Sequence, residues 1–92
     1  MKLQAHAPHM VSIGSIVHIR DLETNDREKY TLTRPSDADI RRNCISSISP
    51  VGRALYGQRP GDIVEVQAPG GIFLVEIEAV HGTPELQYAR DR

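Results

Sequence analysis

The chain has 92 residues and a formal net charge of −1, with eleven basic and twelve acidic side chains interspersed along it. A chain of this length forms one domain with a modest core, since it buries roughly 60–65% of its unfolded surface. The near-zero charge excludes the basic field of a non-specific nucleic-acid binder, and direct sequence-specific binding of nucleic acid is not expected. Nine of the eleven basic residues are arginine, which favours planar contacts with the carboxylates of a protein partner.

The cellular location is inferred from several missing features. No apolar run approaches the ~20 residues of a membrane-spanning helix, and residues 1–10 lack the apolar core of a signal peptide. The one cysteine, Cys44, has no partner for an internal disulfide. We therefore expect a cytoplasmic protein without membrane contacts, in which residues 1–10 are a flexible segment or vector-derived residues ahead of a start at Met10.

Alternating apolar and polar residues predict a β-hairpin in the first half of the chain. Two strands, at 16–22 and 27–33, flank a turn at 24–26, where asparagine and aspartate tolerate positive φ. The polar residues 35–43 predict an exposed loop, and a short third strand is expected at 44–48.

A Ser-Pro pair predicts the start of a short helix. Ser49 can cap the free N–H groups of the first turn, and Pro50 at the first helical position has its φ already set. Three apolar residues have the spacing of one buried helix face: Val51, Ala54 and Leu55. This assignment leaves Arg53 on the exposed side.

Two further strands complete the pattern. Turn residues at 60–62 precede the fourth strand, and a Pro-Gly-Gly sequence at 69–71 is expected to form a type II turn with glycine at its positive φ. The last strand, 72–80, is expected to place four residues on its core face: Phe73, Val75, Ile77 and Ala79. The elements predict an α+β domain over 11–82, a twisted and mostly antiparallel sheet wrapped on one short helix, with a polar tail at 83–92.

One part of the sequence is more specific than this general pattern. The segment 49–80 contains S-P-V-G-R-A-L-Y-G, then P-G-D, then P-G-G, and the hairpin G-S-I-V-H-I-R-D-L-E-T-N-D-R-E-K-Y-T-L precedes it. This ordered set resembles the C-terminal domain of the bacterial GreA/GreB transcript-cleavage factors, with some likeness to the related regulator Rnk. The resemblance covers about residues 11–82.

The resemblance implies an FKBP-like fold and a docking role. In that family this domain anchors the factor to RNA polymerase at the rim of the secondary channel. A separate N-terminal coiled coil enters the channel and helps to hold a catalytic magnesium ion. No heptad run precedes residue 12, so we expect docking without stimulation of transcript cleavage. The chain is either part of a longer factor or a stand-alone module, and in both cases the resemblance implies a non-enzymatic domain without a cofactor or metal.

The expected partner-binding surface is the start of the helix, formed by four residues: Ile48, Ser49, Pro50 and Arg53. The family tends to carry an acidic residue, implicated in polymerase docking, at the position of Ile48. The isoleucine removes a charge that could pair with arginine on the polymerase. It could instead make an apolar contact or face the core, and the Ser-Pro pair could serve in capping alone.

Two other functions compete with polymerase docking. The FKBP-like fold also hosts peptidyl-prolyl isomerases, but these enzymes hold proline in an aromatic pocket, and this chain has no tryptophan and one phenylalanine. The second alternative is a Rnk-like interaction module that acts on nucleotide-metabolism enzymes.

Other residue types that could carry chemistry have simpler interpretations. The carboxylates of Asp37 and Asp39 are expected on a solvated loop, because no further oxygen ligand is evident nearby. Cys44 is expected to be a small buried apolar residue. The four histidines are expected on the N-terminal segment or on the surface: His6, His9, His18 and His81.

Overall fold

One sheet and one short helix make up the fold, as the sequence predicts. The computed structural model describes residues 10–82, so most of the predicted N-terminal segment, the predicted tail at 83–92, His6 and His9 lie outside the described residues. The elements in chain order are β1 (Ile16–Asp21), β2 (Arg27–Thr33), β3 (Cys44–Ser46), α1 (Pro50–Leu55), β4 (Ile63–Ala68) and β5 (Gly71–His81). None of the helices between residues 10 and 82 has the length and hydropathy needed to cross a bilayer.

The five strands lie in the order β3-β2-β1-β5-β4. Neighbouring strands are antiparallel except β2 and β3, which are parallel, so the expected mostly antiparallel sheet is confirmed. Between β2 and β3 the exposed loop contains two single 3-10 turns, Pro35–Asp37 and Ile40–Arg42. Asn43, at a φ of 55°, ends the second turn. The third strand is shorter than predicted and ends at Ser46 because the chain turns there toward the helix.

The β1–β2 hairpin is confirmed in detail. Asn25 has a φ of 68°, the left-handed conformation that the turn requires. The Oδ1 atom of Asp21 accepts hydrogen bonds from the backbone N–H groups of Glu23 and Thr24 at 2.8 and 3.2 Å. These bonds give the exposed turn donors a partner within the protein, and they help to fix the direction in which the chain returns.

The core lies between the concave face of the sheet and helix α1. Leu55 is fully buried on the helix, and Val51 and Ala54 are half-buried against the core, as the spacing predicts. The buried apolar residues come from the segment before β1, from α1 and from all five strands: Val11, Val17, Ile19, Leu32, Ile45, Leu55, Val64, Val66, Val75, Ile77 and Val80. Cys44 is half-buried, so the prediction of a buried residue is wrong; β3 places the adjacent Ile45 in the core instead.

A β-bulge in β5 changes the predicted alternation. Glu78 is an extra residue opposite the His18–Ile19 step of β1. One extra residue reverses which face the following side chains occupy. Val80 is therefore buried, and Ala79, predicted to face the core, lies half-buried on the outer face. Apolar alternation alone cannot reveal the bulge, because both residues are apolar.

The β4–β5 turn also differs from the prediction. Ala68 pairs directly with Gly71, which leaves a two-residue loop. The positive φ lies at Gly71, with a value of 138°, and not at Gly70 in the centre of the turn. The prediction of a type II turn is therefore wrong. The positive φ that favours glycine is needed at Gly71, where the chain enters β5.

Charged side chains connect three elements on the outer face of the sheet. Arg20 contacts Glu76 through Nη2 at 2.8 Å and Glu78 through Nε at 3.1 Å. It also donates to Oδ1 of Asn25 at 2.8 Å. The Nε atom of Arg27 lies 2.9 Å from the second carboxylate oxygen of Glu78. The hydrogen bond from Arg27 is the main cause that holds the pKa of Glu78 below its ordinary value of 4.5.

The contact between Gly52 and the backbone of Ser46 leads to a first prediction. A Cβ atom at Gly52 would overlap the carbonyl oxygen of Ser46 and lie 3.0 Å from Cα of Ser47. We expect Gly52→Ala to lower the free energy of unfolding by about 1–3 kcal/mol, because the obstacle is backbone that cannot rotate away. Urea denaturation followed by circular dichroism measures this change.

Gly70→Ala is the matched control. An added Cβ there meets nothing closer than the Cζ atom of Phe73 at 3.9 Å. We expect a change within about 0.5 kcal/mol, as for an ordinary surface substitution. Equal destabilisation by both variants would contradict the proposed clash at Gly52.

The ion network leads to a pH prediction. The folded-state pKa of Glu78 is lowered, so its contribution to stability is present above the unfolded pKa near 4.5 and is lost as the pH falls through the folded value. Glu78→Gln should therefore weaken the decline in melting temperature between neutral pH and about pH 3. Glu65→Gln, at an exposed residue of β4, is the control and should melt like the parent across this range. An unchanged acid dependence in Glu78→Gln would exclude this role.

Candidate partner-binding surface

Helix α1 begins at the predicted position. Ser49 has an extended backbone with φ −72° and ψ 163°, and Pro50 follows as the first helical residue. The Oγ atom of Ser49 accepts the N–H of Gly52 at 3.1 Å and donates to the carbonyl of Ser46 at 2.7 Å. Capping by Ser49 is thus confirmed, and both hydrogen bonds of its hydroxyl group are made to the backbone.

The other three predicted site residues are exposed. The side chain of Ile48 is outside the core, with 63% of the residue exposed, so the alternative that it faces the core is wrong. Pro50 and Arg53 are also exposed. The structure therefore brings Ile48, Pro50 and Arg53 to one surface, with Ser49 half-buried behind them.

Ile48, Pro50 and Arg53 line a shallow groove of about 290 Å³, which we call the helix groove. Its remaining lining comes from Ala54 of α1 and from Glu65 and Gln67 of β4. The lining therefore combines three apolar side chains with an arginine, a glutamate and an amide. Such a surface fits a partner segment with a mixed apolar and polar face.

A second groove, the concave groove, lies on the other side of α1 and also measures about 290 Å³. Its apolar lining comes from the sheet and from one helix residue: Ile19, Tyr30, Val51, Val66, Phe73 and Val75. Three carboxylate residues of the β1–β2 hairpin form its rim: Asp21, Asp26 and Glu28. Burial, followed by the negative charge of Glu28, raises the pKa of the Tyr30 phenol.

Phe73 corrects the sequence prediction. It lies on the core side of β5 but remains 36% exposed as part of the concave groove. The helix has six residues and spans about 9 Å, whereas the eleven residues of β5 extend over about 36 Å. A helix of that length cannot cover the whole concave face, and the aromatic ring is left at its edge.

The concave groove has the chemistry of a peptide-binding surface. An apolar floor excludes water, and carboxylates around it favour cationic side chains. A protein segment with apolar residues flanked by lysine or arginine would match it. Sequence reasoning missed this groove, although Phe73 is the single phenylalanine of the chain and four carboxylates lie between residues 21 and 28.

The other candidates from the sequence lie away from these grooves. The Oδ1 atom of Asp39 accepts the backbone N–H of Arg41 at 3.1 Å and caps a 3-10 turn. Within residues 10–82, no group of three histidine, cysteine or acidic side chains is arranged to hold a metal ion. The sulfur of Cys44 lies 3.6 Å from the carbonyl oxygen of Arg42, a contact that anchors the side chain at the surface of the loop.

Solved structures contain the same fold. A crystal structure of Gfh1 from Thermus aquaticus superimposes with a TM-score of 0.74 at 30% identity, over 89% of this chain and 54% of that chain. The GreA/GreB elongation factor of Nitrosomonas europaea gives a TM-score of 0.69 at 35% identity, over 84% of this chain and 64% of that chain. These likenesses confirm the α+β, FKBP-like fold.

Sequence comparison gives the same result. The GreA of Alkaliphilus oremlandii is 50% identical over 68 residues, which are 74% of this chain and 43% of that protein. The GreA of Nautilia profundicola is 40% identical over 75 residues, 82% of this chain and 46% of that protein. The chain thus spans less than half the length of these relatives. Residues 6–82 match the family model for the C-terminal part of the transcription elongation factors GreA and GreB, and the chain therefore belongs to that family.

Proposed function

We propose that this domain binds RNA polymerase near its secondary channel and acts by occupying that site. Membership of the elongation-factor family supports the choice of partner. The observation that carries the proposal is the pair of grooves on either side of an exposed helix start. They present apolar and charged side chains that the fold leaves uncovered.

The helix groove supplies one part of the proposed interface. Arg53 is exposed on α1 and can make a planar, two-bonded contact with a carboxylate of the polymerase. Ile48 occupies the position at which the family tends to carry an acidic residue. In this domain we infer that an apolar contact replaces an ion pair there, so binding depends less on salt at this point.

The concave groove supplies the second part. Phe73 offers an aromatic side chain that is already held by the sheet and loses little rotamer freedom on binding. The carboxylates of Asp21, Asp26 and Glu28 would attract a basic segment of the polymerase. Binding across both grooves would clamp the partner around the first turn of α1.

In this proposal the domain docks and has no catalytic role. The resemblance assigns the catalytic magnesium ion to carboxylates at the tip of a coiled coil, whereas the two grooves described here provide binding surfaces. Bacterial RNA polymerase works in the cytoplasm, and we place the domain there.

Binding of purified core RNA polymerase to the immobilised chain tests the proposal. We expect the double variant Pro50→Ala, Arg53→Glu and the single variant Phe73→Ser each to weaken binding at least about tenfold, which corresponds to about 1.4 kcal/mol. Circular dichroism and melting temperature must first show that each variant is folded.

Two matched controls separate the grooves from general surface effects. Leu74→Ser changes the next residue of β5, which is 47% exposed on the opposite face of the strand. Arg42→Glu reverses the charge of an exposed side chain in the loop before β3. Both should bind polymerase like the parent.

Three outcomes would contradict the proposal. Equal binding by all variants would exclude both grooves as the interface. No binding by the parent would exclude the polymerase, and recovery of a purified nucleotide-metabolism enzyme in its place would support the Rnk-like alternative. Catalysis of proline isomerisation in a model peptide, lost in Phe73→Ser, would make the concave groove an enzyme site.

A further inference from the structure

The β-bulge places two histidines side by side on the outer face of the sheet. His18 lies on β1 and His81 ends β5, and their ring centroids are 5.1 Å apart with the ring planes at 83°. If β5 contained Glu78 in a regular ladder with no bulge, strict alternation from the buried Val75 would turn His81 toward the core. The bulge therefore creates the pair.

We propose that His18 and His81 together bind a divalent transition-metal ion of the type that prefers imidazole, such as Zn²⁺ or Ni²⁺. Two imidazole nitrogens at 2.0–2.1 Å from a tetrahedral ion place the ring centroids about 5 Å apart. The observed separation is 5.1 Å. Only the side chains need to rotate from the edge-to-face arrangement, and the outer torsion of histidine is broad.

Neither imidazole is held by a hydrogen bond to the described part of the chain. Each ring makes the edge-to-face contact with the other, so an ion bound there would displace no hydrogen bond within residues 10–82. His18 faces Ala79 directly across the strands, and the side chain of the alanine is a single methyl group.

Local charge sets the strength of the site. Lys29 pairs with His18 from β2 and opposes a cation. The nearby Arg20 and Arg27 are engaged by carboxylates of β5, which reduces their effect. No third histidine, cysteine or acidic residue within 10–82 joins the pair, so water would complete the coordination. The geometry points to an exchangeable two-histidine site.

Calorimetric titration of the full chain with Zn²⁺ and, separately, Ni²⁺ at pH 7.5 tests this inference. We expect one ion per chain, with binding weakened at least tenfold by His18→Ala and equally by His81→Ala. Lys29→Gln should tighten binding, because it removes the opposing charge. In NMR spectra of the parent, the imidazole resonances of both histidines should shift or broaden on addition of the ion.

The two remaining histidines provide the control. The variant His6→Ala, His9→Ala should bind the ion as the parent does. Loss of binding in this variant, or unchanged binding in His18→Ala, His81→Ala, would overturn the site. The latter variant should still bind RNA polymerase, so failure of the metal site and failure of the docking proposal give different results.

Discussion

The close approach of Gly52 to the backbone of Ser46 is the contact on which the placement of the helix depends. Without a side chain at Gly52, the first turn of α1 rests directly on the chain that leaves β3. The Ser49 hydroxyl connects the same two residues, because it donates to the carbonyl of Ser46 and accepts the N–H of Gly52. The helix start is therefore fixed before any partner is present, and little conformational entropy is lost there on binding.

From this fixed position the helix divides the surface into two grooves. Val51 borders the concave groove, whereas Pro50 and Arg53 border the helix groove. A six-residue helix completes the core around Leu55 but stops short of Phe73. Exposed apolar area costs about 25 cal/mol per Å² relative to burial. The short helix leaves Phe73 partly exposed in the concave groove, so it makes the core modest and keeps this apolar surface available.

The sequence predicts the elements whose causes are local. Asn25 reveals its turn through its own tolerance of positive φ, and Ser49 with Pro50 reveals the helix start through capping chemistry. Features that depend on contacts between distant segments are not predictable in this way. The parallel pairing of β2 with β3 and the exposure of Phe73 are of this kind, since each depends on where another element ends. The family resemblance identified the fold and the helix start, but the concave groove required the structure.

Glu78 affects both the packing of the core and the charges on the outer face of the sheet. As an extra residue it lets Val80 enter the core and turns His81 outward, so one residue decides the composition of both faces of the sheet. Its carboxylate binds Arg20 and Arg27, which join β1 and β2 to the distorted strand. A bulge disturbs the backbone hydrogen bonds between β1 and β5. The ion pairs of Glu78 add side-chain contacts between the strands at the same place. The bulge thus places Val80 on the apolar concave face, where we propose that a protein partner binds. It places His81 on the outer face, beside the ion pairs and in the proposed metal site.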